Sequence, residues 1–205
     1  AQGHQHRPPE MQEVKSEREI DQLLVERAQG GDKHAFEQLV SKYQRKVGRL
    51  LSRYIRDSAE VEDVTQEAFI KAYKALPNFR GESAFYTWLY RIAINTAKNY
   101  LVSRKRRPLD YDVDLQDPTQ YEMQARVSDI ATPEGHALGE EVREVVAEAV
   151  EKLPEDLRMA IVLREIEGMS YEEIAQAMDC PVGTVRSRIF RAREAIDSRL
   201  RPLLD

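Results

Sequence analysis

Trp88, Arg91, Asn95, Lys98 and Asn99 recur at helical intervals in a stretch that also holds Phe85, Tyr86, Tyr90 and Tyr100 and runs into Arg104-Lys-Arg-Arg107. Aromatic faces stack on unpaired bases whatever their identity, and cationic side chains follow the phosphates, so this mixture is the chemistry of single-strand binding. At about 100° per residue, Phe85, Leu89, Ile92, Ala93, Thr96 and Tyr100 fall on one stripe expected to be core. Trp88, Arg91, Asn95, Lys98 and Asn99 remain on the rest of the helix.

A second cluster lies about eighty residues downstream. Ser170-Tyr-Glu-Glu-Ile-Ala-Gln-Ala-Met178 reads as a short helix opened by a capping box of Ser170 and Glu173. Asp179-Cys-Pro-Val-Gly-Thr184 then makes a tight turn into a second helix over 184–200, which is helix-turn-helix spacing. Val185, Ile189, Ala192 and Ile196 form a narrow apolar seam there, while Arg186, Ser187, Phe190 and Arg191 project away from it. Arginines flanking an apolar ring near a helix start suit a major groove, where Arg reads guanine edges and Phe meets a thymine methyl. Thr184 and the helix's first backbone N–H groups could hold a phosphate.

The elements that position these clusters follow helical spacing almost throughout, which predicts an all-α fold. Helices are expected over 17–29, 33–56, 59–76 and 83–103 in the first half. Gly30-Gly31-Asp32 supplies a stop and an N-cap, and Pro77 with Gly81 brackets a loop. The net charge of −5 would argue against a nucleic-acid partner, but charge is segregated along the chain. Residues 80–107 carry seven basic side chains against Glu82, and 182–201 carry six arginines against Glu194 and Asp197. Between them, 108–139 holds seven acidic side chains against Arg126, with Pro108, Pro118 and Pro133 and no sustained period. The expected organisation is a disordered tail (1–16), one small helical domain (17–107), an acidic flexible linker (108–139) and a helix-turn-helix domain (140–205).

These residues resemble the extracytoplasmic-function sigma factors of bacterial RNA polymerase, especially the envelope-stress sigma-E kind. The resemblance covers about 21–203. It is carried by Asp63-Val-Thr-Gln-Glu-Ala-Phe-Ile-Lys-Ala-Tyr73, Phe79-Arg-Gly81, the run 83–93, Leu153-Pro-Glu-Asp-Leu-Arg158, and 170–175 through 183–193. It implies a non-catalytic subunit that docks on core RNA polymerase, selects a promoter and helps to open it; the two domains would be the family's region 2 and region 4. By similarity Asp63, Gln66, Glu67, Phe69 and Tyr73 would meet a coiled coil of the large polymerase subunit. The loop 78–83, with Phe79 and with Asn95 nearby, would take a flipped base of the minus-ten element, and Trp88, Arg91, Lys98 and Asn99 would line the strand-separation surface. Arg186, Ser187, Phe190 and Arg191 would read the minus-thirty-five duplex. The resemblance also implies an anti-sigma factor as a partner, often membrane-anchored.

Two boxes about 17 base pairs apart stand roughly 58 Å apart at 3.4 Å per step. A random coil of the linker's length would average roughly 30 Å, whereas the extended chain spans on the order of 100 Å. The linker would therefore be held stretched, and its acidity suits threading through a basic polymerase channel.

Several classes are disfavoured. The single Cys180 allows no internal disulfide and no Cys-rich zinc site. His4 and His6, in a segment without packing pattern that reads as a leader of the expression-tag kind, do not make a metal site, and no cofactor or small-molecule substrate is expected. No run is apolar enough to cross a bilayer, and a cytoplasmic location is the expectation. No catalytic constellation appears, so the chain is not read as an enzyme. The rival is a dimeric helix-turn-helix regulator that binds a palindrome as duplex; a purely protein-binding helical adaptor would leave Arg186, Phe190 and Arg191 unexplained.

Overall fold

A computed structural model describes residues 15–105 and 136–204, and among them every regular element is helical. The expected linker and tail lie almost wholly outside the described residues. The first half comprises α1 (Glu17–Gln29), α2 (Lys33–Leu51), α3 (Ser58–Ala75), a 3-10 turn (Leu76–Asn78) and α4 (Phe85–Lys105). The second comprises α5 (His136–Lys152), α6 (Glu155–Glu165), α7 (Tyr171–Met178) and α8 (Val182–Leu204).

Local chemistry sets the boundaries. Ser16 caps α1 by accepting from the Glu19 N–H, with Glu17 and Glu19 in the first turn, where the helix dipole favours negative charge. Gly31, at φ 101°, turns the chain so that Asp32 can cap α2 through the His34 and Ala35 N–H groups. The expected helix over 33–56 stops at Leu51. Asp57 must be extended to cap α3 from below, accepting from Ala59 and Glu60, so the chain leaves the helix at Ser52 and turns Ile55 into the core. α1 and α2 are joined by a buried polar contact: Asp21 accepts from Lys42 at 2.6 Å and from the Tyr43 hydroxyl.

Leu39, Leu51, Leu89 and Ile94 anchor the first half's core, and Met159, Leu163, Ile174 and Ile189 the second's. The two are continuous. One apolar cluster runs from Val25 to Ala192, because α4 packs on α3 with one flank and on α7 with another.

That second contact corrects the expected α4 stripe. Leu89, Ala93, Phe85 and Thr96 are buried as predicted, but Ile92 and Tyr100 are only half-buried while Thr87, Tyr90, Ile94 and Ala97 are enclosed. A helix flanked on two sides buries a broader arc than one amphipathic face.

Candidate nucleic-acid interface

The loop leading into α4 is built on Gln29, whose side-chain amide donates to the Leu76 carbonyl at 3.0 Å and the Phe79 carbonyl at 2.7 Å. Gly81 takes φ 72°, which a side chain would resist. Phe79 is buried, its ring 4.8 Å from that of Trp88 and 6.3 Å from Phe85, so it supports the aromatic surface and does not stand free of it. Trp88 is half-buried and faces a cleft of about 270 Å³ lined by Asn78, Arg80, Glu82, Ser83 and Gln176. Asn95 and Asn99 are exposed further along the helix.

The cleft is closed on one side by the other half of the chain. Arg91 pairs with Asp179 at 3.3 Å and Lys98 with Asp156 at 3.8 Å. Thr87 donates to Glu173 at 3.3 Å, the Tyr86 hydroxyl donates to the same carboxylate oxygen, and Tyr90 donates to Glu167 at 3.3 Å. Partial burial pushes the Glu173 carboxyl up, but donors from Tyr86, Ser170 and Thr87 outweigh it and hold the group below the usual carboxylate range. Burial, reinforced by Glu173, pushes the Tyr86 phenol up to about 12, and burial beside Glu167 raises Tyr90 further.

In the second half the helix-turn-helix forms as expected. Ser170 accepts from the Glu173 N–H at 3.1 Å and Glu173 accepts from the Ser170 N–H at 3.2 Å, completing the capping box. Asp179 ends α7 in the left-handed region at φ 54°, which Asp tolerates better than most residues. α8 begins at Val182, two residues before the expected start. The Thr184 N–H consequently donates to the Pro181 carbonyl at 3.0 Å, so a phosphate at Thr184 would meet its side chain.

Val185, Ile189 and Ala192 are buried, and Arg186, Ser187, Phe190 and Arg191 share the exposed face, with Phe190 62% accessible. Two further arginines of the helix are engaged within the fold: Arg188 with Asp156 at 3.6 Å, and Arg193 with Glu165 at 2.7 Å. The Tyr171 ring lies 4.8 Å from the Arg164 guanidinium and 6.0 Å from that of Arg186. The sequence pattern did not single out Tyr171, whose two cationic neighbours in space lie seven and fifteen residues away along the chain.

A third surface lies between α2 and α3. Asp63, Gln66 and Glu67 are exposed, Phe69 is buried, and Tyr73 is half-exposed against Phe36 at 5.0 Å. Beside them opens a groove of about 960 Å³ lined by Val40, Gln44, Gln66, Phe69 and Ile70. Ile70, 55% exposed, was not anticipated; an apolar residue inside an otherwise polar, exposed set was the signal. Among the described residues no group of three or more His, Cys, Asp or Glu side chains could hold a metal ion, and no helix is long and apolar enough to cross a membrane. His4 and His6 fall outside the described residues.

Comparison with known proteins gives two family matches, Sigma-70 region 2 over residues 39–107 and Sigma-70, region 4 over 143–196. The ECF RNA polymerase sigma-E factor of Escherichia coli K12 is 61% identical over 189 residues, covering 92% of this chain and 98% of that protein. The RNA polymerase sigma-H factor of Pseudomonas aeruginosa is also 61% identical, over 186 residues, covering 91% of this chain and 96% of its own. Among solved structures, CnrH in complex with the cytosolic domain of CnrY is similar at 26% identity and TM-score 0.63, covering 89% of this chain and 98% of that one.

Proposed function

The chain belongs to the extracytoplasmic-function sigma factors of RNA polymerase, and from that membership we propose that it docks on core polymerase, directs it to particular promoters and promotes strand opening. The family is one of transcription initiation factors. The polymerase performs the chemistry, and this chain contributes recognition. The observation that carries the reading is the coexistence, in one chain, of an aromatic-cationic helix and an arginine-flanked recognition helix.

Opening a duplex without ATP requires contacts that only the open state makes. Unstacking a base costs a few kcal/mol, and each base stacked on an aromatic face returns about 1–3 kcal/mol, so a few captures balance the opening. In this reading Trp88 supplies a stacking face, with Phe79 packed behind it, while Asn95 and Asn99 offer amide contacts and Arg91 and Lys98 hold phosphates. Arg186, Ser187, Phe190 and Arg191 read the upstream duplex, with Thr184 at its backbone. Asp63, Gln66, Glu67 and Tyr73, together with Ile70 and the buried Phe69, form the polymerase-docking face around the α2–α3 groove.

The acidic linker would join the two grips. A second protein is proposed as an inhibitor of the anti-sigma type, in keeping with the solved relative bound to the cytosolic domain of another protein. A cytoplasmic site of action and a stress-response regulon belong to the same proposal.

Transcription in vitro with purified core polymerase tests it. Specific initiation that requires this chain is expected, and Trp88→Ala should leave polymerase binding intact while abolishing bubble formation. Initiation at no candidate promoter, or melting indifferent to Trp88, would overturn the reading.

A further inference from the structure

Arg91 and Lys98, which the preceding reading assigns to the separated strand, are not free. They face Asp179 and Asp156 of the other half at 3.3 and 3.8 Å, and on the same helix the buried Thr87 donates to a third carboxylate, that of Glu173, at 3.3 Å. These carboxylates come from different elements: Glu173 from α7, Asp179 from its C-cap and Asp156 from the first turn of α6. They nonetheless converge along one side of α4.

A row of anions spaced over hydroxyl and cationic donors is what a nucleic-acid backbone presents to the same surface. We propose that Glu173, Asp179 and Asp156 act as a built-in strand mimic, shutting the melting surface of the free chain until the two halves separate. This rests on the strand-binding role assigned to α4.

The masking is selective. Phe190, Arg186, Ser187 and Arg191 stay exposed in the closed form, and so do Asp63, Gln66 and Glu67 at the docking groove. Asp156 also holds Arg188 of the recognition helix at 3.6 Å, so one carboxylate ties α8 and α4 together. A closed molecule can therefore meet polymerase and duplex while the cations of its melting surface, Arg91 and Lys98, are occupied. Non-productive capture of single strands by the free chain is thereby suppressed, since apparent affinity falls by the fraction of molecules that are open.

Conservative changes isolate the device. Glu173→Gln keeps a residue competent for the capping box, Asp179→Asn keeps one that tolerates the left-handed region, and Asp156→Asn keeps its shape. The triple variant E173Q/D179N/D156N is compared with the wild-type full chain for binding a fluorescein-labelled single-stranded 12-mer of randomised sequence at low salt. A charge-matched control, E140Q/E141Q/E144Q on exposed α5 positions, removes the general effect of lost negative charge.

Each partly exposed pair contributes a small factor, so the triple variant should bind about tenfold tighter, against about twofold or less for the control. The emission of Trp88, the single tryptophan, should shift in the triple variant only. Adding Trp88→Ala to the triple variant should remove the gain. Equal, Trp88-dependent binding by wild type and triple variant would overturn the mimic and leave the strand-binding reading standing. A gain matched by the control would also overturn the mimic. Absence of binding by every form would overturn both.

Discussion

At the scale of single residues, α8 shows why an arginine-rich helix is not uniformly a DNA-reading one. Arg186 and Arg191 stand on the exposed face, whereas Arg188 and Arg193 are tied to Asp156 and Glu165. The Glu165 carboxylate holds the Arg193 guanidinium above its ordinary pKa, so its charge is committed within the fold. Arg186→Ala should cost about 1–3 kcal/mol of affinity for a minus-thirty-five duplex and relax specificity at one base pair. Arg193→Ala should leave base preference unchanged and lower the midpoint of unfolding slightly. Titration of duplexes with single base-pair changes distinguishes the two, and equal loss of specificity in both variants would contradict the sorting. The residue types were legible in the sequence because the seam of Val185, Ile189 and Ala192 fixes which positions point outward. Which arginines were free was not legible, because Asp156 and Glu165 lie on a different helix. The burial of Phe79 has a related cause: Gln29, fifty residues away along the chain, holds the backbone of its loop down.

At the scale of elements, caps were read more reliably than lengths. Ser170, Asp32 and the Gly30-Gly31 stop act where expected, since each satisfies N–H groups or a turn within a few residues. Ser170→Ala should destabilise the second half by about 1 kcal/mol, measured by urea unfolding, because α7 is short and its capping box is complete. Lengths failed where a neighbouring element intervened: α2 stops at Leu51 because Asp57 is needed as the cap of α3, and α8 starts at Val182 because the Pro181 carbonyl receives the Thr184 and Val185 N–H groups. The α4 stripe was half right. Periodicity alone foresees one buried face, and α4 has two. Leu89 sits where that burial is complete, so Leu89→Ala should cost about 2–5 kcal/mol by urea or thermal unfolding. A loss below about 1 kcal/mol would mean that α4 is less enclosed than its contacts with α3 and α7 require.

At the scale of the whole molecule, the two cationic helices α4 and α8 share one structure, and this was the least legible property of the sequence. Charge segregation separated the halves on paper, yet Glu173 finds Tyr86 and Thr87 some eighty-six positions away, a pairing that no local pattern encodes. The contact carries its own pH signature. Glu173 is held below the usual carboxylate value of 4.5 by Tyr86, Ser170 and Thr87, against the opposing pull of burial, and the Tyr86 and Thr87 donors come from the other half of the chain. Arg18 of α1 also acts on the Tyr86 phenol, which stays protonated throughout the acid range. The folded chain therefore has a lower Glu173 pKa than the unfolded one. The stability this contributes is complete above the ordinary value of 4.5 and drains away as pH falls through the folded-state value beneath it. Lowering the pH from about 6 to about 4 should thus lower the urea midpoint of the full chain, with a component that belongs to Glu173. In Glu173→Gln that component of the shift should be absent, because the titrating group is gone while the capping hydrogen bonds survive. An identical acid shift in both proteins would place the titration elsewhere and deny Glu173 its part in holding the halves together.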